Sequence, residues 1–271
     1  MRVSSAERAM NYAVLILVGI TVLWPLGTIL VKAFGPQSVA ASREGAFHPE
    51  NFVTAWVDGR FSQYMGTSVM VALFVVSVAT LVSILAGYAF GTMRFRGSTP
   101  LFYLFLLGIM VPTEAIIVPL FFDLRTFGLT DTLWGVALPQ IAQSTAFGTY
   151  WMRAYFRGVN VSVIEAARID GAKPRQILWS VLVPMGRPAI TTMVVLFFMW
   201  TWNEFLIPLV MSPTGAFRTA PLGLALFQGQ YTQGVALLAA GAVLVALPIV
   251  VLYFFLQRHF IRGMLEGAVK E

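Results

Sequence analysis

The sequence predicts an all-α integral membrane protein of six transmembrane helices with both chain ends on the cytoplasmic side. Three observations predict it. The 271 residues are 58% hydrophobic and 11% charged, with a mean hydropathy of +0.78; soluble domains are about 45–50% apolar and about 25% charged. The apolar residues gather into charge-poor runs that reach the roughly 20 residues a helix needs to cross hydrocarbon. Lysine and arginine fall unevenly on the two sides of those runs. This composition excludes a soluble enzyme and a disordered chain. It also excludes a nucleic-acid partner, because the basic residues behind the net charge of +6 and pI near 9.9 are few and scattered between apolar runs. The absence of cysteine rules out a disulfide framework, a zinc-finger cluster and a thiol nucleophile.

The spans are expected at about 11–33, 66–91, 99–122, 132–154, 188–211 and 235–257, within a single transmembrane domain. The first has no charge from Ala9 to Val31. It exceeds the about 7–15 apolar residues of a secretory signal and contains Pro25, so a retained span is expected. The second is charge-free between Arg60 and Arg94. The third is apolar apart from Glu114, the fourth is uncharged from Thr132 to Met152, the fifth carries only Glu204, and the sixth lies within 234–257. None alternates apolar with polar as a barrel strand would, so helices, which satisfy their own backbone in lipid, are expected. Pro112, Pro119, Pro139, Pro208 and Pro248 are expected to kink the helices rather than break them. No internal repeat is visible. Six spans put both termini on one side. That side collects 13 of the 18 basic residues and leaves Lys32, Arg43, Arg60, Arg125 and Arg218 on the other, which makes it cytoplasmic.

Between the fourth and fifth spans, the loop 157–187 reads as two short helices. Ser162 and Glu165 have capping-box spacing, Gly171 sits where a helix ends in a left-handed residue, Pro174 suits a first helical turn, and Pro184 is placed to close the second helix. Ile164, Ala166, Ala167 and Ile169, edged by Arg168, Asp170 and Lys173, form a small-residue, partly apolar surface. On pattern alone, such a surface either docks into a groove on a soluble partner or packs on the cytosolic ends of its own spans.

EAARIDGAKPRQILWSVLVP, from Glu165 to Pro184, resembles the EAA motif of ATP-binding-cassette (ABC) importer permeases: Glu-Ala-Ala, three residues, Gly, nine residues, then Ile-x-Leu-Pro. Glu165, Ala166, Ala167, Gly171 and Pro184 match, with Val181 and Val183 replacing Ile and Leu. Residues 110–140, TWNEFLIPL at 201–209, RFRG at 94–97 and the tail 257–270 are similar to the smaller permease of maltose-type carbohydrate importers. Thr67 stands where family members often have Asn, and residues 1–60 match weakly. The resemblance implies a multi-pass inner-membrane subunit of a prokaryote, forming half of a pathway for a sugar-like solute together with a second permease. Two cytosolic ABC ATPases would dock on the EAA loops, and an extracytoplasmic solute-binding protein would deliver the solute. Glu165, Ala166, Ala167, Arg168, Asp170, Gly171 and Pro184 would then couple to the ATPase. The chain itself would be non-catalytic and carry no cofactor, with ATP and Mg on the partner. No G-x-x-x-x-G-K-[ST] loop occurs to hold nucleotide phosphates here.

Glu114 and Glu204 lie within apolar runs, where a charge costs about 2.5–3.5 kcal/mol on insertion scales, so both are candidates for the pathway or a subunit interface. Local pairing is the alternative for each. Trp200, Trp202, Asn203 and Glu204 offer stacking and hydrogen-bonding groups for a sugar, although helical spacing puts Trp200 and Glu204 on one face and Trp202 on another. The glycine-rich outer loop 211–234 either approaches the binding protein or simply connects. Among other classes, an ion-gradient-driven secondary transporter would also have buried carboxylates but would not need the two-helix loop. An intramembrane enzyme lacks a site, because His48 and His259 are far apart and no metal-ligand spacing occurs.

Overall fold

The structure is a computed structural model that describes residues 4–37, 46–230 and 235–268. Arg43, residues 231–234 of the loop 211–234 and residues 269–270 of the tail 257–270 lie outside the described residues. Within them the chain is helical, with no strand: α1 (Ser5–Ala33), α2 (Glu50–Asp58), α3 (Phe61–Thr92), α4 (Ser98–Met110), α5 (Thr113–Thr126), α6 (Leu133–Gly158), α7 (Val161–Ile169), α8 (Pro174–Gln176), a π-helical segment (Ile177–Leu182), α9 (Val183–Met185), α10 (Arg187–Asn203), α11 (Leu206–Met211), α12 (Ala220–Gln230) and α13 (Val235–Ala268). It divides into two compact units, 1–63 with 223–248, and 64–222 with 249–271.

In the first unit, Ser4 caps α1 by accepting from the Glu7 amide at 3.2 Å. Glu7 in the first turn and Lys32 in the last complement the helix dipole. None of the apolar stretch of α1 is covered by the chain itself. The end of α1 is tied down by Asn51, which is wholly buried. Its amide donates to the carbonyls of Ala33 (2.9 Å) and Gly35 (2.8 Å), and its oxygen accepts from Gln37 at 2.6 Å. The orphan carbonyls of a helix C-terminus thereby find partners. Asn51→Leu leaves them unpaired, and we expect a loss of about 2–3 kcal/mol, read as a lowered unfolding temperature of the detergent-solubilised protein.

The second unit packs α3, α6 and α10 through small residues. A side chain at Gly87 would strike the Met152 Cβ, and one at Gly91 would meet the Phe156 Cβ at 2.8 Å. One at Gly148 would strike Ser83 and meet the Phe197 ring at 2.7 Å. Close approach over small residues is how helices associate where lipid is as apolar as the interface. On another side of this unit, Asp131 adopts a left-handed conformation (φ 56°). Its Oδ1 accepts from the Ser212 hydroxyl (3.2 Å) and from the Thr214 amide (3.0 Å) and hydroxyl (2.6 Å), while its own amide donates to the Met211 carbonyl. This carboxylate joins the α5–α6 turn to the segment after α11. Asp131→Ala should lower stability by about 2 kcal/mol or more, since it removes three acceptor contacts and strains a left-handed position; Asp131→Asn, which tolerates that conformation, should lose less in the same thermal assay.

Three of the described helices are long and apolar enough to cross a membrane: Glu7–Ala33, Phe61–Thr92 and Val235–Phe255. Counting two sharply bent pairs as single spans raises the number to five. The helix in the position of the expected fourth span, α6, stays outside this count; it carries buried Gln140, Ser144, Thr145 and Thr149. The expected continuous helix 99–122 is two helices, α4 and α5, at 100° to one another. Pro112 therefore breaks where a kink was expected, because proline excludes the helical conformation from the residue before it and Val111 is extended (ψ 117°). The expected helix 188–211 is likewise interrupted at Glu204 (ψ 123°). Pro208, four residues on, clashes with a helical carbonyl at that position. Pro25, Pro119, Pro139 and Pro248 stay inside continuous helices. The outer segment expected as a loop at 211–234 contains α12.

Candidate functional site

Two places collect the residues singled out from the sequence, both within the second unit. The first is the loop between α6 and α10. Its first helix is capped by Asn160, whose side chain accepts from the Ser162 amide at 3.0 Å. This corrects the expected Ser162–Glu165 capping box: an asparagine just before the helix reaches the free amide first, and Ser162 already lies inside the helix. At the other end, Gly171 (φ 80°) follows the C-cap. The Gly171 amide donates to the Arg168 carbonyl and the Ala172 amide to the Ala167 carbonyl, each at 3.0 Å, which is the Schellman pattern that stops a helix and turns the chain. Pro174 then opens α8 as expected, and the Gln176 side chain accepts from the Lys173 amide at 2.8 Å.

Pro184 does not close the second helix. It sits within Val183–Met185, after the π-helical segment, where the Val183 amide reaches back five residues to the Leu178 carbonyl. A wider turn of this kind makes room for a proline ring that would otherwise press on the carbonyl four residues back. The chain bends instead at Gly186, giving 79° between Pro174–Met185 and α10. Gly186 fits there because a side chain would lie 2.7 Å from the Tyr155 ring. The Tyr155 hydroxyl fastens the corner by donating to the Leu182 carbonyl at 2.9 Å.

The two faces of α7 divide the readings left open by pattern. Ile164 is buried, and Ala167 and Ala172 are partly buried, against a core of Tyr88, Met152, Phe156, Ile177, Leu178 and Leu182. Ile164 therefore serves the chain's own packing, and Ala167 does so in part. Glu165, Ala166, Arg168, Asp170, Gly171 and Pro184 are exposed. Ile169 is 86% exposed and Val161 62%. The exposed face of α7 thus places Ile169 beside Arg168 and Asp170.

The second place is a cavity of about 680 Å³ between the α4–α5 break, α6 and the end of α10. Glu114, Trp200, Asn203 and Glu204 all line it. Trp202 does not: it is buried, 2% exposed, and stacks on Phe198, as helical spacing required. Both carboxylates stand at helix starts created by the breaks. Glu114 lies in the first turn of α5. Glu204 accepts from the Ile207 amide at 3.0 Å at the start of α11. A helix N-terminus favours a negative charge, and irregular backbone at membrane depth is tolerated where it lines a cavity. The Asn203 amide turns back to the Met199 carbonyl at 2.8 Å.

The sequence reading missed Gln140, Gln143, Ser144 and Phe147 on α6, which complete the lining with Thr113 and Thr201. Their spacing of i, i+3, i+4 and i+7 places them on one helix face. That polar stripe inside an uncharged run was the available signal. Gln143 donates to the Thr113 hydroxyl, and the rings of Phe147 and Trp200 meet edge to face at 4.9 Å.

Comparison with known proteins places the chain in a family. The trehalose transport system permease protein SugB of Mycobacterium tuberculosis is 32% identical over 274 residues, covering 98% of this chain and 99% of its own length. The arabinooligosaccharides transport system permease protein AraQ of Halalkalibacterium halodurans is 32% identical, covering 92% and 91%. A chain in the crystal structure of a bacterial ABC transporter involved in the import of the acidic polysaccharide alginate superposes with a TM-score of 0.79 at 23% identity, covering 96% of this chain and 99% of that one, so the two share a fold. Residues 79–266 match a family described as the binding-protein-dependent transport system inner membrane component. From that match, and from relatives similar over nearly the whole length, the chain belongs to the family of inner membrane components of binding-protein-dependent transport systems.

Proposed function

We propose that this ABC importer subunit provides half of the translocation pathway for a sugar or sugar-like solute, as a single permease domain in the inner membrane of a prokaryote. A second permease would complete the pathway, two cytosolic ABC ATPases would bind ATP and Mg, and an extracytoplasmic binding protein would deliver the solute. Six spans with both ends inside agree with the excess of basic residues on one side. That count takes α6 as the fourth span, with the bent pair α4–α5 as the third and α10 with α11, interrupted at Glu204, as the fifth. Relatives named for trehalose, arabinooligosaccharides and maltodextrin support a carbohydrate cargo. A gradient-driven carrier finds no support among them.

The observation that carries the coupling role is the outward face of α7, with Glu165, Arg168 and a bare Ile169 held at a fixed angle by the Gly171 turn. ATP-driven closure of the ATPases would move the docked loops and shift the spans between two arrangements, the docking free energy linking the two sites. Purification of the tagged chain in mild detergent, with mass spectrometry of what accompanies it, tests this. A second permease and an ATPase should co-purify, and Gly171→Pro, which forbids φ 80°, should release the ATPase. A chain recovered alone or as a homo-oligomer would sink the proposal.

A further inference from the structure

The end of the second unit that carries the α7 loop gathers four arginines. Arg94 and Arg96 lie in the short connection between α3 and α4, and Arg153 and Arg157 stand one turn apart near the end of α6. Packing brings the two pairs to one place. Gly91, near the end of α3, sits so close to α6 that a side chain on it would lie 3.4 Å from the Arg153 carbonyl and 3.7 Å from the Arg157 amide. Phe95, between Arg94 and Arg96, has its ring centroid 5.6 Å from that of Phe90, which in turn lies 5.8 Å from that of Phe102 on α4. The Arg153 guanidinium rests on the same Phe102 ring, 3.7 Å from its centroid, a contact that holds the cation in place without a counter-charge. Arg94, Arg96 and Arg157 are exposed and Arg153 is partly so. Among the described residues, none of the four has an ion pair. Like charges gathered without a carboxylate repel one another, and an anion placed among them relieves that repulsion.

The surface beside the cluster is apolar and bare. Leu101, Leu104 and Leu107 follow one another along α4 in three-residue steps, all exposed, with Tyr103 at 60% exposure next to them. A leucine stripe of this kind suits acyl chains, and tyrosine is enriched at the level of lipid headgroups. Basic side chains at the end of an apolar stripe match a phospholipid of net negative charge. A free phosphate or a carboxylate on another protein would use the charges and leave the stripe without a partner.

We infer that Arg94, Arg96, Arg153 and Arg157 form a binding site for the phosphate of an anionic phospholipid, whose acyl chains lie along Leu101, Leu104 and Leu107. The site depends neither on the cargo nor on the outward face of α7.

The test is native mass spectrometry of the complex purified through this chain in mild detergent. It is titrated with phosphatidylglycerol and, separately, with phosphatidylcholine carrying the same acyl chains. Phosphatidylglycerol should be retained under conditions that strip phosphatidylcholine. Arg94→Gln, Arg96→Gln and Arg157→Gln combined should weaken that retention on the order of 100-fold, since each basic residue near the lipid surface contributes separately. The corresponding triple lysine variant keeps the charges and should stay within about threefold of wild type. Arg153 is left in place because it packs on Phe102. Equal retention of the two lipids by the wild type would overturn the inference, as would phosphatidylglycerol held equally by the wild type and the glutamine variant. Retention abolished by inorganic phosphate would assign the cluster to a soluble anion and overturn it too. So would a glutamine variant that sheds the ATPase while keeping its phosphatidylglycerol, which would assign the cluster to the partner protein.

Discussion

Ile169→Asp is expected to abolish ATP-dependent uptake and to release the ATPase from the purified assembly, while the chain itself folds as well as wild type. Ile169 is 86% exposed, and a surface change of this kind alters stability by about 0.5 kcal/mol or less. On the proposed docking face the outcome is different. Seating an isoleucine in a partner groove contributes about 1.5–3 kcal/mol, and an aspartate there adds the cost of desolvating a charge. Together these weaken docking by about 100-fold or more. Glu165→Arg should act in the same direction by reversing the neighbouring charge. Ile164→Asp would show the contrast, since Ile164 is packed among Tyr88, Phe156 and Leu178 and its replacement should unfold the loop. The check is co-purification of the ATPase measured beside the unfolding temperature: an Ile169→Asp protein that keeps its ATPase would remove Ile169 from the dock.

Gly87→Leu is expected to prevent assembly of the bundle altogether. A side chain at Gly87 meets the Met152 Cβ and, at 3.0 Å, the Arg153 backbone amide. Neither is the free end of a flexible chain, so α3 and α6 must separate. Overpacking in a well-ordered core costs about 1–3 kcal/mol even when neighbours relax; here backbone opposes the change, and we expect at least the upper end, seen as loss of monodisperse protein after solubilisation. Gly19→Leu on α1, where nothing lies within 4 Å of the added carbon, should by contrast leave the unfolding temperature within about 1 °C, the shift expected when stability hardly changes.

These two expectations mark where sequence stopped and tertiary structure began. Runs of apolar residues, the two-helix loop, its left-handed Gly171 and the intramembrane carboxylates were legible, because each depends on local composition or on a few neighbouring residues. The face of α7 that meets the chain's own core was not. Ile164, Ala167 and Ile169 are alike in kind, and only the position of α3 and of the π-helical segment decides which are covered. The cap was misread for a related reason: Asn160 and Ser162 are both good caps, and the choice belongs to the residue at which the chain leaves α6. Prolines divide in the same way. Pro139 is accommodated within α6, whereas Pro112 and Pro208 end helices, since a freed carbonyl survives wherever neighbours or a cavity can satisfy it.

By itself, then, the sequence determined that the chain is a helical membrane protein, that it carries a two-helix loop between apolar runs, and that Glu114, Trp200, Asn203 and Glu204 are unusual for their surroundings. Hydropathy and short-range spacing suffice for those statements. Tertiary structure alone decided that these four residues share one cavity, that a polar stripe of α6 completes it, and that two of its buried polar atoms lack partners within the protein. Glu114 and Glu204, about 90 positions apart, come together only in the folded chain, and the helix interruptions at Val111 and Glu204 follow from prolines whose effect depends on packing rather than on sequence neighbours.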